Sequence, residues 1–517
     1  MDEAMELCSP ELGSPELGSP ELCSPELGSP ELCESFEAQV DLRPGAAALV
    51  WHGEETSYRR LFEMACNARI RLELLGSDDE VPVGILAKKS PAAIALVMGC
   101  FMAGKRFLLP STMLAPQSLQ RLFQQAGCRH VLSPEATRQV FEPSPHDHRA
   151  ADAACLLTTS GSTGLPKVVP LGRAAVDRFI SWAGEQFNIQ PGMTVLNYAP
   201  LNFDLCFLDI WTTLARGGRV ALVDPDLGTN GNYLLDLMVD HEVQVVQAVP
   251  MFYRLLIDTA QKRQCRLDLV EQVIFTGDAL PERTLFELPH LFANARLYNI
   301  YGCTETNDSF IHEVDTTVAP VTPVPLGHPL PGVRALIVDA DGTVLDGPGV
   351  GELYVSTPFQ TAGYLDATRN AQAFAPHPQG LDDLRYFRSG DIVRRYTDGR
   401  LVIQGRRDFQ VKVRGVAVNT AEVENVLLQH PEVVEAAVVA VSDPVAGRRL
   451  CCTVQRTPGG RLNSLVLRQH CAQSLPHGAI PTEMLIVDEP LPRTSTGKID
   501  HNAANRIHTS PDHKRVG

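Results

Sequence analysis

A loop rich in hydroxyl groups and glycine lies between two short apolar segments in the first third of the chain. It runs from Thr158 to Lys167 as TTSGSTGLPK and is followed by VVPL. Backbone N–H groups and side-chain hydroxyls at this density, with a lysine at the end, suit the binding of a polyphosphate. The P-loop pattern GxxxxGK(S/T) is absent, and a Ser/Thr/Gly loop also serves as a plain connection. The loop alone therefore leaves both interpretations open.

Four further segments place chemically useful side chains beside glycine turns. They are NIYGCTET (299–306), YFRSGD (386–391), GRRDFQVKVRG (405–415) and PRTSTGK (492–498). The first offers an aromatic ring and a carboxylate, the second an aspartate, and the last a lysine near the C-terminus. Taken alone, Asp391 could equally satisfy its own backbone in the turn, and Lys498 would be an ordinary solvated lysine.

In this order and at this spacing, the five segments resemble the adenylate-forming superfamily of acyl-CoA synthetases, luciferases and peptide-synthetase adenylation domains. The resemblance extends from about Gln39 to Asp500 and is strongest to a freestanding amino acid adenylation domain. It implies that ATP and a carboxylate form an acyl-adenylate with release of pyrophosphate, and that the acyl group then passes to a thiol. Because negative charge crowds both reactants at the α-phosphorus, catalysis of this kind consists of positioning and cationic stabilisation.

The resemblance implies that residues from several of these motifs bind ATP. It assigns the pyrophosphate end of ATP to the hydroxyl-rich loop, adenine to Asn299 and Tyr301, and the ribose to Asp391 and Arg406. The complete predicted ATP-binding set is Thr159, Ser160, Gly161, Ser162, Thr163, Gly164, Lys167, Asn299, Tyr301, Gly302, Asp391 and Arg406.

Three residues are catalytic by the same resemblance. Thr304 is assigned to the α-phosphate, Glu305 to Mg²⁺, and Lys498 to the substrate carboxylate and the α-phosphate. A hard divalent cation that bridges phosphate oxygens needs an oxygen ligand such as Glu305, and a compact ammonium group can act as a point charge. The resemblance also places Asp408 at the hinge of a mobile smaller domain, where a short polar residue can change φ and ψ at modest cost.

The segment NFDLCFLD (202–209) resembles the place where amino-acid-activating members hold an aspartate for the ammonium group of the substrate. Asp204 would fill that role, and its ion pair would separate amino acids from plain carboxylic acids. Alternatively, Asp204 caps a helix that begins at the apolar LCFL. Carried over residue by residue, the predicted substrate pocket consists of Asp204, Leu205, Leu208, Gln247, Ile274, Thr276, Ile300, Asp308 and Ser309.

The polar residues of this pocket favour a small or medium polar amino acid over an aromatic one. A second carboxylate, Asp308, needs a donor or a cation beside it in a confined pocket. A second basic group or a displaced amine on the substrate would meet that need. Cys303, Asn307 and Asn419 depart from the family pattern and leave the reaction class intact.

The acyl acceptor is predicted to be a separate molecule. No carrier-protein segment with an attachment serine follows Lys498, and no condensation module precedes Gln39. We therefore expect transfer to the phosphopantetheine thiol of a carrier protein, or to coenzyme A. The alternative function is an acyl- or aryl-CoA synthetase that acts on a non-amino carboxylic acid. A catalytically silent scaffold would have lost Lys498, Glu305 or Asp391, and all three are present.

Short Val/Ile/Leu runs alternate with helical segments from about Gln39 onward, which predicts layered α/β domains. In the helix after Ser160, apolar residues share one face at a spacing of 3.6 residues; they are Val176, Phe179, Ile180, Ala183 and Phe187. We predict a large N-terminal multi-sheet α/β domain over residues 38–404 and a small mobile C-terminal α+β domain over residues 405–517.

Residues 1–37 are predicted to be a disordered acidic leader. Five copies of SPELG or SPELC lie between residues 9 and 33, and a proline at every fifth position rules out a regular helix. A lone leucine in each copy cannot build a core. The leader would therefore serve either as a docking tail or as a tolerated spacer.

The remaining composition limits the partners and the location. The formal net charge is −16, and the leader carries ten of the negative charges, which leaves about −6 for the rest and argues against a nucleic-acid partner. The thirteen cysteines are scattered without metal spacing and are predicted to be reduced thiols. The acidic N-terminus is no signal peptide, and the longest apolar stretch, 92–104, is too short to span a bilayer. We predict a cytoplasmic protein without a membrane partner.

Overall fold

The computed structural model describes residues 31–75, 81–112, 114, 116–139, 153–159, 166–318, 320–407, 410–413, 416–443, 447–475, 477–494 and 497–509. The predicted leader lies outside these ranges except for residues 31–37. Those residues correct its predicted end, because helix α1 (Leu32–Leu42) begins inside it. Leu32, Phe36 and Val40 recur at the spacing of one helical turn and are buried in the core of the larger domain.

A nine-stranded sheet forms the centre of the larger domain. In spatial order its strands are β15 (His328–Pro329), β14 (Asn307–Val314), β13 (Arg296–Cys303), β12 (Gln272–Thr276), β11 (Val245–Ala248), β9 (Thr194–Asn197), β10 (Arg219–Leu222), β1 (Ala47–Trp51) and β2 (Glu54–Ser57). The strands from β13 to β1 pair in parallel, whereas β2, β14 and β15 pair antiparallel at the edges. Parallel strands that are buried on both faces have continuous apolar sequences.

Successive residues of these strands enter two different cores. Val245 and Ile274 belong to the main core of the larger domain, whereas Val246 and Phe275 face a second core on the opposite side of the sheet. The helices that cover the second face are α7 (Gly231–Asp240), α8 (Pro250–Arg263) and α9 (Glu282–Leu291). A π-helical segment, Phe207–Thr212, and the short α6 (Thr213–Ala215) follow β9 on the other side.

A six-stranded sheet shares the main core. Its order is β6 (Thr137–Gln139), β5 (His130–Leu132), β3 (Val83–Ile85), β4 (Phe107–Leu108), β7 (Ala153–Thr159) and β8 (Lys167–Gly172). The accompanying helices are α2 (Tyr58–Glu73), α3 (Pro91–Met102), α4 (Pro116–Gln125) and α5 (Arg173–Gln186). The predicted apolar face of α5 is confirmed, since Val176, Phe179, Ile180 and Ala183 are all buried, as is Phe187 beyond its end.

A third, five-stranded sheet completes the larger domain. It consists of β16 (Arg334–Val338), β17 (Gly349–Ser356), β19 (Arg385–Arg395), β18 (Phe374–Pro376) and β20 (Leu401–Arg406), which pairs with β19; α10 (Ala367–Ala373) precedes β18. Strand β20 runs through the predicted domain boundary at 404/405 and ends at Arg406. Gly405 and Arg406 therefore remain paired with the larger domain.

The smaller domain has its own core of Val, Leu and Cys side chains around a three-stranded sheet. Its elements are the hairpin β21 (Gln410–Val413) and β22 (Val416–Asn419), the sheet strands β23 (Val433–Asp443), β24 (Gly447–Arg456) and β25 (Glu483–Val487), the helices α11 (Thr420–Leu428), α12 (Ser464–Ala472) and α13 (His501–Thr509), and a 3-10 turn, His477–Ala479. The α/β larger domain and the α+β smaller domain confirm the predicted fold class.

The described residues agree with what the sequence predicted about membrane-spanning helices and about the cysteines. No helix among them is both long and apolar enough to cross a bilayer. The cysteines in the described ranges are free thiols, as the sequence predicted.

Candidate active site

The carboxyl ends of four neighbouring parallel strands meet at one edge of the nine-stranded sheet. Strands β9, β11, β12 and β13 end there at Asn197, Ala248, Thr276 and Cys303. Ligands of open α/β sheets bind beyond this edge, where no side chain of the sheet itself blocks access. Residues predicted to bind the substrate, Gln247 and Thr276, and residues predicted to bind ATP, Asn299 and Tyr301, lie on three of these strands.

The hairpin between β13 and β14 places the two predicted catalytic residues of the NIYGCTET segment at its tip. Cys303 pairs with Asn307, so Thr304 and Glu305 lie in the turn. Gly302 makes this possible, because a Cβ atom there would lie 2.4 Å from the carbonyl oxygen of Asn307. Asn307 itself has a φ of +55°, a left-handed conformation that asparagine tolerates better than most residues. The glycine is thus needed for the hairpin, whatever its contact with ATP.

Glu305 connects the hairpin tip to the end of the hydroxyl-rich loop. It is 6% exposed, and its Oε1 accepts a short hydrogen bond from the Tyr364 hydroxyl. The Lys167 ammonium donates to the same hydroxyl at 3.4 Å and lies 5.1 Å from the centre of the tyrosine ring. Burial and the neighbouring Glu305 raise the pKa of Tyr364, so this phenol stays protonated as a donor. Tyr364 was not foreseen from the sequence.

The hydroxyl-rich loop is described only at its two ends. Thr159 and Lys167 pair with each other across the antiparallel strands β7 and β8. The Thr159 hydroxyl oxygen is buried and has no hydrogen-bond partner among the described residues. The predicted phosphate ligands between these ends lie outside the described residues and stay predictions; they are Ser160, Gly161, Ser162, Thr163 and Gly164.

Asp391 lies at the centre of a second group of predicted ATP ligands. Its Oδ2 accepts from the Tyr301 hydroxyl at 2.5 Å, and its Oδ1 accepts from Arg406 at 2.9 Å. Burial raises the pKa of Asp391, and Arg406 is the largest of the groups that lower it. Each carboxylate oxygen still has a lone pair for a further donor, such as a ribose hydroxyl. Asn299 lies on the same strand as Tyr301 and donates to the carbonyl oxygen of Pro325 at 2.8 Å.

Asp204 and Asp308 form the acidic part of the predicted substrate pocket. Burial raises the pKa of Asp204, while the adjacent Thr304 hydroxyl and the Leu205 N–H lower it. Burial and the Asp204 carboxylate raise the pKa of Asp308 to about 8. Asp204 accepts from the N–H of Leu205 at 3.1 Å, one residue on, which differs from the geometry of a helix N-cap. Its carboxylate therefore lies beside Thr304 rather than over a helix end.

A network of buried polar side chains lies next to this pocket. It was not predicted from the sequence. Asp209, in the π-helical segment, accepts from Asn197 and Gln247, both at 3.1 Å. The buried Lys89 ammonium donates to the carbonyl oxygens of Asn197 and Tyr198 at 3.1 and 3.2 Å. Burial raises the pKa of Asp209 well above its usual range, and the hydrogen bond from Asn197 and the charge of Lys89 oppose this rise. Burial lowers the pKa of Lys89 to about 8. A pair of lysines, Lys88 and Lys89, shortly after the end of β3 was the available sequence signal.

Several other predicted pocket residues have polar atoms that are hydrogen-bonded within the protein, or side chains that are buried. Gln247 also donates to the Leu205 carbonyl oxygen at 3.1 Å, so its amide holds the Asp204 loop in place. Ser309 is fully buried and donates within the hairpin, to Thr306 and Asn307. The remaining pocket predictions are buried hydrophobic or hydroxyl side chains; they are Leu208, Ile274, Thr276 and Ile300.

The smaller domain brings Lys498 toward Asp391, at the centre of the predicted ribose site. Its positive charge lowers the pKa of Asp391, more than a hundred residues earlier in the chain. The turn that carries the lysine is closed by hydrogen bonds from Thr494 N–H to the Lys498 carbonyl at 2.8 Å and from Gly497 N–H to the Thr494 carbonyl at 3.0 Å. Asp408, the predicted hinge, lies outside the described residues.

Comparison with known proteins places the chain in a family. The profile "AMP-binding enzyme" matches residues 36–365, and "AMP-binding enzyme C-terminal domain" matches residues 422–498. The chain is 35% identical over 357 residues to an L-proline–[L-prolyl-carrier protein] ligase of Pseudomonas fluorescens, which covers 69% of this chain and 68% of that ligase. It is 26% identical over 502 residues to the D-alanine–D-alanyl carrier protein ligase of Bacillus cereus, which covers 91% of this chain and 98% of the ligase.

A solved structure agrees with this placement at the level of the fold. A four-domain nonribosomal peptide synthetase, bound to AMP and glycine, superposes with a TM-score of 0.78 at 23% identity, over 92% of this chain and 36% of that chain. The chain therefore belongs to the AMP-binding enzyme family and is an adenylate-forming ligase. The predicted superfamily, enzyme class and binding of ATP or AMP are confirmed. The relatives are ligases that join amino acids to carrier proteins, which is the kind of function and partner predicted from the sequence.

Proposed function

We propose that the protein activates an amino acid with ATP as an aminoacyl-adenylate and then transfers the aminoacyl group to the phosphopantetheine thiol of a separate carrier protein. The position of Asp204 carries this proposal. The Asp204 carboxylate lies beside Thr304 at the tip of the hairpin between β13 and β14. It can therefore pair with the ammonium group of an amino acid while the carboxylate of that amino acid reaches the α-phosphate. L-Proline and D-alanine, named for the two relatives, are the first substrates to test.

In the first half-reaction, a carboxylate oxygen of the amino acid attacks the α-phosphorus of ATP and pyrophosphate leaves. Asp391 and Arg406 hold the ribose, and Tyr301 and Asn299 line the adenine side. Thr304 donates to the α-phosphate, and Lys498 neutralises the charge that develops between the two reactants. Lys167 lies at the pyrophosphate end, where a cation stabilises the leaving group.

Mg²⁺ fits the donor set at Glu305. One carboxylate oxygen of this buried residue accepts from Tyr364, and the other has no partner among the described residues. A buried carboxylate oxygen is the type of ligand that a hard divalent cation prefers. Such an ion would neutralise charge on the phosphate oxygens, and Glu305 would hold it, while Tyr364 keeps the carboxylate in position.

In the second half-reaction, the carrier thiol attacks the acyl carbonyl and AMP leaves. We propose that Asp408 is the hinge about which the smaller domain moves between the two steps. Because the described cysteines are free thiols, as is typical of a reducing compartment, we also propose a cytoplasmic location.

ATP–pyrophosphate exchange tests the proposal. Purified protein is incubated with Mg²⁺, ATP and labelled pyrophosphate, with each of the proteinogenic L-amino acids, D-alanine, and simple aliphatic and aromatic acids. We expect exchange with one or a few amino acids, exchange at least about a hundredfold slower in Lys498→Ala, and a strongly raised KM for the amino acid in Asp204→Ala. Exchange that is faster with an acid lacking an amine, and that Asp204→Ala leaves unchanged, would instead establish the acyl- or aryl-CoA synthetase alternative.

A further inference from the structure

Glu435 is a nearly inaccessible carboxylate at the contact between the two domains. It lies on β23 of the smaller domain and is 3% exposed. Its Oε1 accepts from Arg254 at 2.8 Å and forms a shorter bond to Arg493, while its Oε2 accepts from the N–H of Leu491 at 3.2 Å. Arg254 belongs to α8 of the larger domain, so Glu435 joins two arginines from different domains. A buried carboxylate requires such pairing, because its unpaired charge would be costly.

Arg493 extends this connection to the loop that carries Lys498. Its Nη1 donates to the carbonyl oxygen of Gly497, the residue immediately before the lysine. Gly497 has a φ of +79°, and a Cβ atom there would lie 3.4 Å from the terminal methyl carbon of Met251, in the first turn of α8. The Lys498 loop thus rests on α8, and a continuous chain of polar contacts runs from Arg254 through Glu435 and Arg493 to the backbone next to Lys498.

We infer that Arg254 is a positioning residue for amino acid activation, which holds the Lys498 loop against the larger domain through Glu435 and Arg493. Arg254 itself has no contact with the hairpin tip or with the Asp391 group in the described structure. Its effect must therefore pass through the lysine. The ion pair joins the two domains in the arrangement in which Lys498 approaches Asp391, and a movement of the smaller domain that carries β23 away from α8 would break it. The inference rests on the proposed function, since it assigns Arg254 a part in that reaction.

Helix α8 offers a matched control for this residue. Arg263, at the end of the same helix, also forms an ion pair, but with Asp236 of the same domain at 2.5 Å. Removing Arg263 therefore changes the charge and the ion pairing of α8 without touching the contact between the domains. Arg254→Lys is the conservative variant, because a lysine keeps the charge and can still reach the one carboxylate oxygen that Arg254 contacts.

Steady-state pyrophosphate exchange with the best acid from the substrate screen tests the inference. We expect Arg254→Ala to lower kcat by roughly tenfold, while the KM values for ATP and for the acid change less than about twofold, because both substrates bind mainly to the larger domain. Arg254→Lys should recover most of the lost kcat, and Arg263→Ala should exchange at the wild-type rate. Because Arg493 still pairs with Glu435 in Arg254→Ala, the melting curve of this variant should show it fully folded at the assay temperature, which excludes general unfolding.

A double-mutant cycle with Lys498→Ala separates a positioning role from an independent one. If Arg254 acts through the lysine, Arg254→Ala should cause little further loss in the Lys498→Ala background. The inference is overturned by a wild-type kcat in Arg254→Ala, by an equal loss in Arg263→Ala, or by the same tenfold loss in both backgrounds. An absence of exchange in the wild-type protein with every acid would instead contradict the proposed function, so the two failures are distinguishable.

Discussion

The ionisation of Asp308 should make amino acid binding depend on pH. Burial and the Asp204 carboxylate raise the pKa of Asp308 to about 8. A group with that pKa is about one-tenth ionised at pH 7 and about one-half ionised at pH 8. If an ammonium group binds to the form in which both carboxylates are charged, the apparent affinity scales with this fraction. The KM for the amino acid should therefore fall about fivefold from pH 7 to pH 8.

The assay is pyrophosphate exchange at saturating ATP, with the KM for the amino acid measured at half-unit steps from pH 6 to 8.5. Asp308→Asn is the matched variant, because the amide keeps the size of the side chain and cannot ionise. Titration of the substrate's own amine affects both proteins equally, so the difference between their pH profiles belongs to Asp308. A KM that stays constant over this range in the wild-type protein, or an identical slope in Asp308→Asn, would refute the reasoning.

The same raised pKa has a consequence for stability without substrate. The folded protein binds a proton at Asp308 that the unfolded chain loses near pH 4, so the stability that this group contributes is present at low pH and is lost as pH rises toward about 8. Asp308→Asn removes this dependence. Its melting temperature relative to wild type should therefore be higher at pH 8 than at pH 5.

Three further substitutions test the support of the site and the start of the fold. Asp209→Ala leaves the buried amide groups of Asn197 and Gln247 without their shared acceptor, and we expect a loss of about 1–3 kcal/mol for each of them in the free energy of unfolding by urea. Tyr364→Phe removes the hydrogen bond to Glu305; kcat for exchange should fall roughly tenfold and the Mg²⁺ concentration for half-maximal rate should rise, with little change in melting temperature. Phe36→Ala should cost about 3–5 kcal/mol of stability, whereas deletion of residues 1–30 should leave both stability and exchange unchanged.

Local patterns predicted much of the fold and the positions of the site motifs. The apolar face of α5 could be foreseen because its spacing matches one helical face, and that face is buried. The NIYGCTET segment could be placed at a glycine turn, and it forms the end of β13 and the hairpin that follows it. The start of α1 was missed because Leu32 belongs to the last of the proline repeats and Phe36 follows it closely, and the composition of the repeats dominated the prediction.

The polar network and the contact between the domains could not be foreseen from local patterns. Lys89 and Asp209 lie 120 residues apart by their numbers, and only the meeting of β3 and the π-helical segment brings their charges together. Arg254 and Glu435 are separated by 181 residues and come from different domains. A charged residue on a predicted helix or strand looks like a solvated one until tertiary packing shows what buries it.

In the proposed reaction, Lys498 acts at the phosphorus under attack. The decisive measurement is single-turnover formation of aminoacyl-adenylate with saturating ATP, Mg²⁺ and amino acid, in the wild-type protein and in Lys498→Ala and Lys498→Arg. We predict that Lys498→Ala forms the adenylate at least about a hundredfold more slowly while binding ATP as tightly as wild type, and that Lys498→Arg retains part of the rate. A wild-type rate in Lys498→Ala would contradict the central claim.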